Sequence, residues 1–150
     1  MLSEDSGPLK PISLYGAAKL ASEGYITAFC ENFDIRTWIF RFPNVVGERA
    51  THGVIFDFIN KLRGNPSRLT ILGDGKQKKP YTYVKDIVEG IIFGWKRSNE
   101  KVNVFNLGVE TLTDVLKIAE IVVEEMELLN VKFDYTGGSV GWVGDVPVYK

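Results

Sequence analysis

Helical and strand patterns alternate along the whole chain, and this alternation constrains the fold more than any other feature. Apolar residues recur at helical spacing in four segments: 13–32, 53–63, 85–95 and the stretch that follows Thr113. Runs rich in β-branched and aromatic residues predict strands at 35–42, 69–72, 81–84, 102–107 and 131–135. Such alternation is typical of the α/β class, in which most strands pair in parallel. We therefore predict an α/β fold with mostly parallel strands, in which Thr113 caps the last helix.

The segment 13–32 is apolar on nearly every side, with little polar surface left between its alanines and aromatic residues. A helix of that kind needs cover on two sides. The strand 35–42 is rich enough in apolar residues to be largely buried, and it ends at Pro43.

Glycines at two places in the chain indicate local structure: a turn and a close helix contact. Gly73-Asp74-Gly75 follows a strand, but lysines and another strand come next rather than a helix. This arrangement predicts a hairpin-type turn and lacks the Gly-rich phosphate turn of a dinucleotide fold. Gly90 and Gly94, four residues apart, would let their helix approach a neighbour closely.

Composition excludes several classes of function. The 150 residues carry a net charge near −1, which argues against nucleic acid or an anionic membrane as partner. One cysteine, Cys30, and one histidine, His52, are too few for a zinc site or a Cys-His nucleophile pair, so we expect no metal. The start lacks the pattern of a signal peptide, and no apolar run reaches the length of a membrane span. We expect a soluble, cytoplasmic protein.

Tyr15 and Lys19 are the strongest candidates for chemistry. Residues four apart project from the same helix face, and a cation one turn away favours the phenolate form of a tyrosine. The pair can act as an acid and base, and the ammonium can donate to ribose hydroxyls. The same spacing also occurs in ordinary amphipathic helices, so the surrounding motifs decide between the two.

Those motifs occur in a familiar order. Glu4-Asp5, Pro8, Pro11 and Ser13 precede Tyr15 and Lys19. The later motifs are the segments 41–47, 73–77, 83–86, 106–108, 137–138 and 141–146. With them the chain resembles the extended short-chain dehydrogenase/reductase family, with the nearest likeness to UDP-galactose 4-epimerases. The resemblance implies the C-terminal part of a Rossmann-type parallel sheet plus a small α/β substrate-binding domain. Segments 1–47 and 84–108 would be Rossmann-side elements, and 48–83 and 109–150 substrate-side elements of one incomplete unit.

The resemblance also implies roles for particular residues. Tyr15 would exchange a proton with a sugar hydroxyl, and Lys19 would hold the nicotinamide ribose of NAD and assist Tyr15. Phe42 and Pro43 would lie near the nicotinamide. The resemblance implies a UDP-hexose as the nucleotide sugar. The residues that would contact it are Asn44, Val54, Ile55, Thr70, Ile71 and Lys79. Without the resemblance, Asn44 reads as a loop cap and Thr70-Ile71 as a core strand.

Two positions depart from the family pattern. Lys79 stands where relatives often carry an arginine that binds phosphate, and Val140 stands where an arginine often precedes Gly-Trp. Lysine supplies charge without a bidentate fork, so these changes leave the identity of the sugar nucleotide open.

The N-terminal half of such enzymes, with its Gly-rich turn, has no counterpart here. The expectation is therefore the substrate-side portion of an NAD-dependent epimerase, inactive alone, which self-associates or binds a missing N-terminal half. A 4,6-dehydratase or reductase portion is the alternative among enzymes. A non-catalytic nucleotide-sugar-binding or partner subunit is the alternative of another class.

Overall fold

The computed structural model describes residues 3–138, and its secondary structure confirms the α/β class with parallel sheet pieces. The helices are α1 (Leu14–Phe33), α2 (Val54–Gly64), α3 (Val84–Arg97) and α4 (Val115–Glu125). The first strands are β1 (Thr37–Arg41), β2 (Asn44–Val46), β3 (Arg68–Ile71) and β4 (Lys78–Lys79). The later strands are β5 (Tyr81–Tyr83), β6 (Val102–Asn106), β7 (Thr113–Asp114) and β8 (Lys132–Tyr135). The Gly-Trp tail motif and Val140 lie outside the described residues.

The described chain divides into two compact units. Within residues 3–138, unit 1 contains 3–45 together with 82–110, and unit 2 contains 46–81 together with 111–138. The chain passes from one unit to the other three times, after residues 45, 81 and 110.

Unit 1 is built on a parallel pair of strands. β1 and β6 run in register from Thr37 opposite Val102 to Arg41 opposite Asn106. Helix α3 packs on this pair at Gly94, where an added Cβ would lie 3.0 Å from a ring atom of Phe40. The predicted close approach at Gly94 is therefore confirmed, because a side chain there would collide with the sheet.

Unit 2 contains the main hydrophobic core. β3 and β8 pair in parallel, and β4 and β7 pair antiparallel. Strand β3 alternates exposed and buried residues, so every second side chain enters the core. The buried members come from α2, β3 and α4: Phe58, Leu62, Leu69, Ile71, Ile118, Ala119 and Val122.

Two sequence predictions about turns and caps are wrong. Thr113 does not cap the last helix: it pairs with Lys79 in β7, and the side chain of Asp114 accepts from the backbone N–H of Lys117 at 2.7 Å. The turn at Gly73 and Gly75 does not close a hairpin. The strands on either side of it pair with different partners, and both glycines have positive φ at the redirection of the chain.

The predicted burial of α1 and β1 also differs from the structure. Cys30 is the only residue of α1 that is buried, and Ile39 is the only one in β1. Within residues 3–138, β6 is the only strand paired with β1, so the other edge of β1 is unpaired and most of its side chains are half exposed.

The described residues contain neither a membrane-spanning helix nor a cluster of metal-binding side chains. No helix between residues 3 and 138 is long and apolar enough to cross a membrane. The same residues hold no group of three or more His, Cys, Asp or Glu side chains that could bind a metal ion.

Candidate functional site

The first turn of α1 positions Tyr15. Ser13 precedes the helix in an extended conformation, and its Oγ accepts from the backbone N–H of Gly16 at 3.0 Å. This N-cap satisfies one of the amides that a helix start leaves without a partner. The cap fixes where the helix begins and places Tyr15 in its first turn.

Tyr15 and Lys19 meet on one face of α1, as their spacing predicts. The Lys19 Nζ lies 5.4 Å from the centroid of the Tyr15 ring, within the range of a cation–π contact. Tyr15 is 73% exposed, and Lys19 is exposed as well. A phenol and an ammonium are therefore presented together on an open surface of unit 1.

Arg41, at the end of β1, joins the helix to the strand. Its Nε and Nη2 donate to the carboxylate of Glu23 at 3.0 and 2.7 Å, which is a bidentate ion pair. These hydrogen bonds raise the pKa of the Arg41 guanidinium. Arg41 Nη1 also donates to the backbone carbonyl of Glu4 at 3.3 Å. Sequence reasoning missed Glu23, although Glu23 lies four residues after Lys19.

Glu4 is held by backbone contacts on the same side of unit 1. Its Oε1 accepts from the backbone N–H of Asn106 at 2.8 Å. This bond, followed by smaller contributions that include the charge of Arg41, lowers the pKa of the Glu4 carboxyl. The segment before α1 is thereby attached to the end of β6.

The two residues expected near the nicotinamide follow β1 directly. Phe42 is 52% exposed, and Pro43 is half-buried. A Cβ added at Gly108 would lie 3.5 Å from Pro43 Cγ, so the loop after β6 packs beside Pro43. Asn44, the next residue, begins β2 and is exposed.

In unit 2, the expected substrate residues are unequally accessible. Thr70 is exposed, whereas Ile71 is 0% exposed and belongs to the core. The side chain of Ile71 therefore cannot line a ligand site in this structure, because it faces α2 and α4. Leu72, which the sequence interpretation omitted, is 47% exposed beyond the end of β3. Leu72 follows the last residue of β3, and its side chain is exposed like that of Thr70.

Val54 and Ile55 form the first turn of α2, and both are half-buried against the core. Ile55 also lines an apolar cavity of about 210 Å³ between α2 and α4. Lys79 is half-buried in β4, opposite Thr113. Sequence reasoning also missed Lys61, whose Nζ donates to the Thr70 carbonyl at 3.2 Å and to Asp57 at 2.6 Å. The signal was the Asp-Lys pair at a spacing of four residues on α2.

Comparison with known proteins identifies relatives. Residues 2–108 match the model of the NAD dependent epimerase/dehydratase family. A protein of Methanocaldococcus jannaschii, whose name assigns it to the UDP-glucose 4-epimerases, is 33% identical over 127 residues. That alignment covers 82% of this chain and 40% of the relative.

Solved structures agree with this assignment. A crystal structure of UDP-galactose 4-epimerase superimposes with a TM-score of 0.80 and 39% identity, covering 89% of this chain and 44% of that one. UDP-glucuronic acid 4-epimerase from Bacillus cereus, in complex with UDP-glucuronic acid and NAD, gives 0.77 and 26%, covering 93% and 44%. The chain thus spans less than half the length of the proteins it matches.

Proposed function

The chain belongs to the NAD dependent epimerase/dehydratase family, and from that premise we propose that it is the substrate-side portion of a cytoplasmic nucleotide-sugar 4-epimerase. The observation that carries the proposal is the exposed Tyr15 phenol with the Lys19 ammonium 5.4 Å from its ring centroid. We assign unit 1 to the Rossmann side of the enzyme and unit 2 to the substrate side.

The donor groups of unit 1 fit the nicotinamide end of NAD. An exposed ammonium can donate to two ribose hydroxyls, and the exposed ring of Phe42 offers an apolar surface to a planar heterocycle. Residues 3–138 contain no Gly-x-Gly-x-x-Gly turn at a helix start, so they fit the nicotinamide end and not the pyrophosphate end. When bound, NAD would take a hydride from the sugar carbon and return it.

The residues of this chain then carry the proton. Tyr15 as phenolate accepts the hydroxyl proton of the sugar carbon that loses hydride, which leaves a ketone on that carbon. The Lys19 ammonium, 5.4 Å from the Tyr15 ring centroid, would hold the nicotinamide ribose beside this phenol. After the keto sugar has rotated in the site, Tyr15 donates the same proton to the ketone oxygen as hydride returns to the opposite face of that carbon. The hydroxyl is thereby inverted, with no net oxidation.

Unit 2 would hold the nucleotide diphosphate. Thr70 and Leu72 offer one hydroxyl and one apolar side chain on the exposed face beyond β3, and the charge of Lys79 suits a phosphate. The first turn of α2, Val54 and Ile55, would border the base. Ile71 supports this surface from within the core.

A 4,6-dehydratase is the second candidate, because the matching family includes both chemistries. The first oxidation is common to the two reactions, and Tyr15 and Lys19 serve it equally. The products separate them: an epimerase returns an isomer of its substrate, whereas a dehydratase releases water and a 4-keto sugar.

We also propose that this portion associates with a second copy or with an N-terminal half. Along α1, the large apolar side chains of Leu14, Tyr25 and Phe33 are 92%, 71% and 64% exposed. Exposed apolar area of this extent favours a protein partner.

Calorimetric titration of the 150-residue chain with UDP-galactose tests the substrate side, with NAD in a separate titration. We expect binding of UDP-galactose that weakens in Lys79→Gln and is retained in Lys132→Gln, which removes the charge of another strand lysine of unit 2 that has no place in the proposed site. Turnover is then assayed after adding an N-terminal half that carries the Gly-rich turn, with products identified by NMR. No binding of UDP-galactose or of UDP would contradict the substrate assignment, and a 4-keto product would replace epimerase by dehydratase.

A further inference from the structure

Arg41 connects two segments of the chain that flank Tyr15 and Lys19. Its Nη1 donates to the Glu4 carbonyl before α1, and its Nε and Nη2 hold Glu23 within α1. Tyr15, Lys19 and Glu23 follow one another at four-residue intervals, so they lie along one side of the helix. Arg41 itself is the last residue of β1, directly before Phe42. One guanidinium therefore ties the active face of α1 to the end of the strand.

The geometry of the ion pair between Arg41 and Glu23 restricts the orientation of α1 relative to β1. A planar guanidinium that binds both carboxylate oxygens fixes direction as well as distance, which a lysine ammonium does not. The two side chains are 28% and 23% exposed, so solvent screens them less than a surface pair. The other ion pair of α1 joins Glu31 to Lys101, the residue before β6. Lys101 Nζ donates to the Glu31 carboxylate at 3.3 Å and to the Glu31 backbone carbonyl at 3.4 Å, and the two side chains are 40% and 62% exposed. Of these two pairs, Arg41 with Glu23 is the less exposed and the one formed by a planar fork on both carboxylate oxygens.

We propose that Arg41 and Glu23 are positioning residues, which set the rotation of α1 so that Tyr15 and Lys19 face the residues following β1. The assignment of a catalytic role to that face rests on the proposed function. The positional claim does not need turnover, because it concerns the orientation of α1 on β1 within unit 1. Neither residue touches the reacting atoms in this scheme, and both act through the helix.

Distance measurement by double electron–electron resonance tests the orientation. Nitroxide labels are placed at Ala18→Cys on α1 and Lys96→Cys on α3, both exposed positions of unit 1, in a Cys30→Ala background. We expect a narrow distance distribution in the otherwise unchanged chain. Arg41→Lys retains the charge without the fork, and Glu23→Gln retains the shape without the charge. Both should shift and broaden the distribution, and the exchanged pair Glu23→Arg with Arg41→Glu should narrow it again.

Two controls separate positioning from a general loss of stability. Lys101→Gln removes the more exposed ion pair of α1 and should leave the distribution unchanged. Ser98→Ala removes the 2.8 Å hydrogen bond from Trp38 Nε1, which also anchors β1, and should lower the melting temperature without moving the labels. If Ser98→Ala broadened the distribution as much as Arg41→Lys at equal loss of stability, the proposal would be overturned.

Kinetics supply the second readout. In the assembled enzyme, Arg41→Lys should lower kcat by up to about 100-fold with little change in KM, because a displacement of about 1 Å at the reacting groups has that effect. An unchanged distance distribution with an unchanged kcat overturns the proposal. Absence of turnover in the unsubstituted enzyme would count against the proposed function, and the distance measurement would still decide the positioning role.

Discussion

A single hydroxyl separates tyrosine from phenylalanine, and at position 15 that hydroxyl is the proton carrier of the proposed reaction. Tyr15→Phe should lower kcat by about 10²- to 10⁴-fold, the usual contribution of a general acid or base. Stability should change little, since Tyr15 is 73% exposed. Turnover of the assembled enzyme and thermal melting together check this expectation.

The matched control for that substitution is Tyr25→Phe. Tyr25 lies on the same helix and is 71% exposed, but it has no role in the proposed chemistry. Turnover should be retained in this control. Equal turnover in Tyr15→Phe and the unsubstituted enzyme would remove Tyr15 from the mechanism.

Ionisation of Glu4 makes the stability of unit 1 depend on pH. Because the backbone N–H of Asn106 lowers the Glu4 pKa from its ordinary 4.5, the folded chain binds this proton less readily than the unfolded chain. The contribution of ionised Glu4 to the free energy of unfolding is therefore complete at pH values above the ordinary pKa. It is lost as the pH falls through the lowered pKa of the folded chain. Chemical unfolding at a series of pH values, for the unsubstituted chain and Glu4→Gln, measures the contribution.

The expected result is a difference in stability between these two chains that is constant near neutral pH and shrinks in the acid range. The amide resonance of Asn106 should titrate over the same range, because that amide donates to the carboxylate. A difference that stayed constant down to pH values well below the ordinary carboxyl range would contradict the role of the ionised form.

Among the elements, α3 depends on a glycine for its approach to the sheet. At Gly94 an added Cβ would lie 3.0 Å from Phe40 and 3.3 Å from Phe105. Crowding of a packed interior costs about 1–3 kcal/mol. The better helix propensity of alanine returns about 1 kcal/mol. Gly94→Ala should therefore lower the free energy of unfolding by up to about 2 kcal/mol.

Gly24→Ala on α1 is the paired measurement for Gly94→Ala. A Cβ at Gly24 meets nothing within 4 Å, so only the gain in helix propensity remains. Denaturant unfolding should show the two substitutions moving stability in opposite directions. Stabilisation by Gly94→Ala would mean that α3 packs less tightly on β1 and β6 than the structure indicates.

Sequence patterns predicted these elements well where the cause is local. The helical spacing of α1 and the contact of Tyr15 with Lys19 depend on residues within one or two turns. Thr113 and the turn at Gly73 were misassigned because distant partners decide them: Thr113 pairs with Lys79, and Gly73 precedes a change of strand partner. Local propensity contains no information about such pairing.

For the candidate site, too, the sequence predicted local spacing but not which side chains are buried or paired. In the run Leu69-Thr70-Ile71-Leu72, the strand period shows that alternate residues share a face but not which face is buried. The packing of α2 and α4 makes that choice: it buries Leu69 and Ile71 and leaves Thr70 and Leu72 exposed. Arg41 and Glu23 could not be paired from sequence, since a strand and a helix separated by a loop have no fixed spacing.

At the scale of the whole molecule, the three crossings between units mean that neither unit is continuous in sequence. Each parallel pair joins strands that are far apart in sequence: β1 pairs with β6, and β3 pairs with β8. Long-range pairing of this kind carries a loop-closure cost that slows folding. It also explains why the resemblance of ordered motifs, rather than any local pattern, indicated the architecture.

The apolar face of α1 predicts how whole molecules behave together. The rings of Phe29 and Phe33 pack against one another at a tilt of 30° with centroids 5.3 Å apart, yet they are 56% and 64% exposed. Burying such aromatic side chains against a second molecule gains free energy in proportion to the apolar area removed from water. Sedimentation equilibrium should therefore find dimers or larger species at micromolar concentrations, and Phe29→Asp with Phe33→Asp should shift the protein to monomer.

Leu129→Asp is the control, because Leu129 is 84% exposed and belongs to unit 2, which does not contain α1. It should leave the association unchanged. A monomer before any substitution would contradict self-association. If that monomer then formed a 1:1 complex with an added N-terminal half, and Phe29→Asp with Phe33→Asp abolished the complex, the same face of α1 would be assigned to the other half of the enzyme. The double substitution on one face of α1 therefore distinguishes the two partners proposed for this chain, and Leu129→Asp tests whether a negative charge on an exposed apolar residue of unit 2 has the same effect.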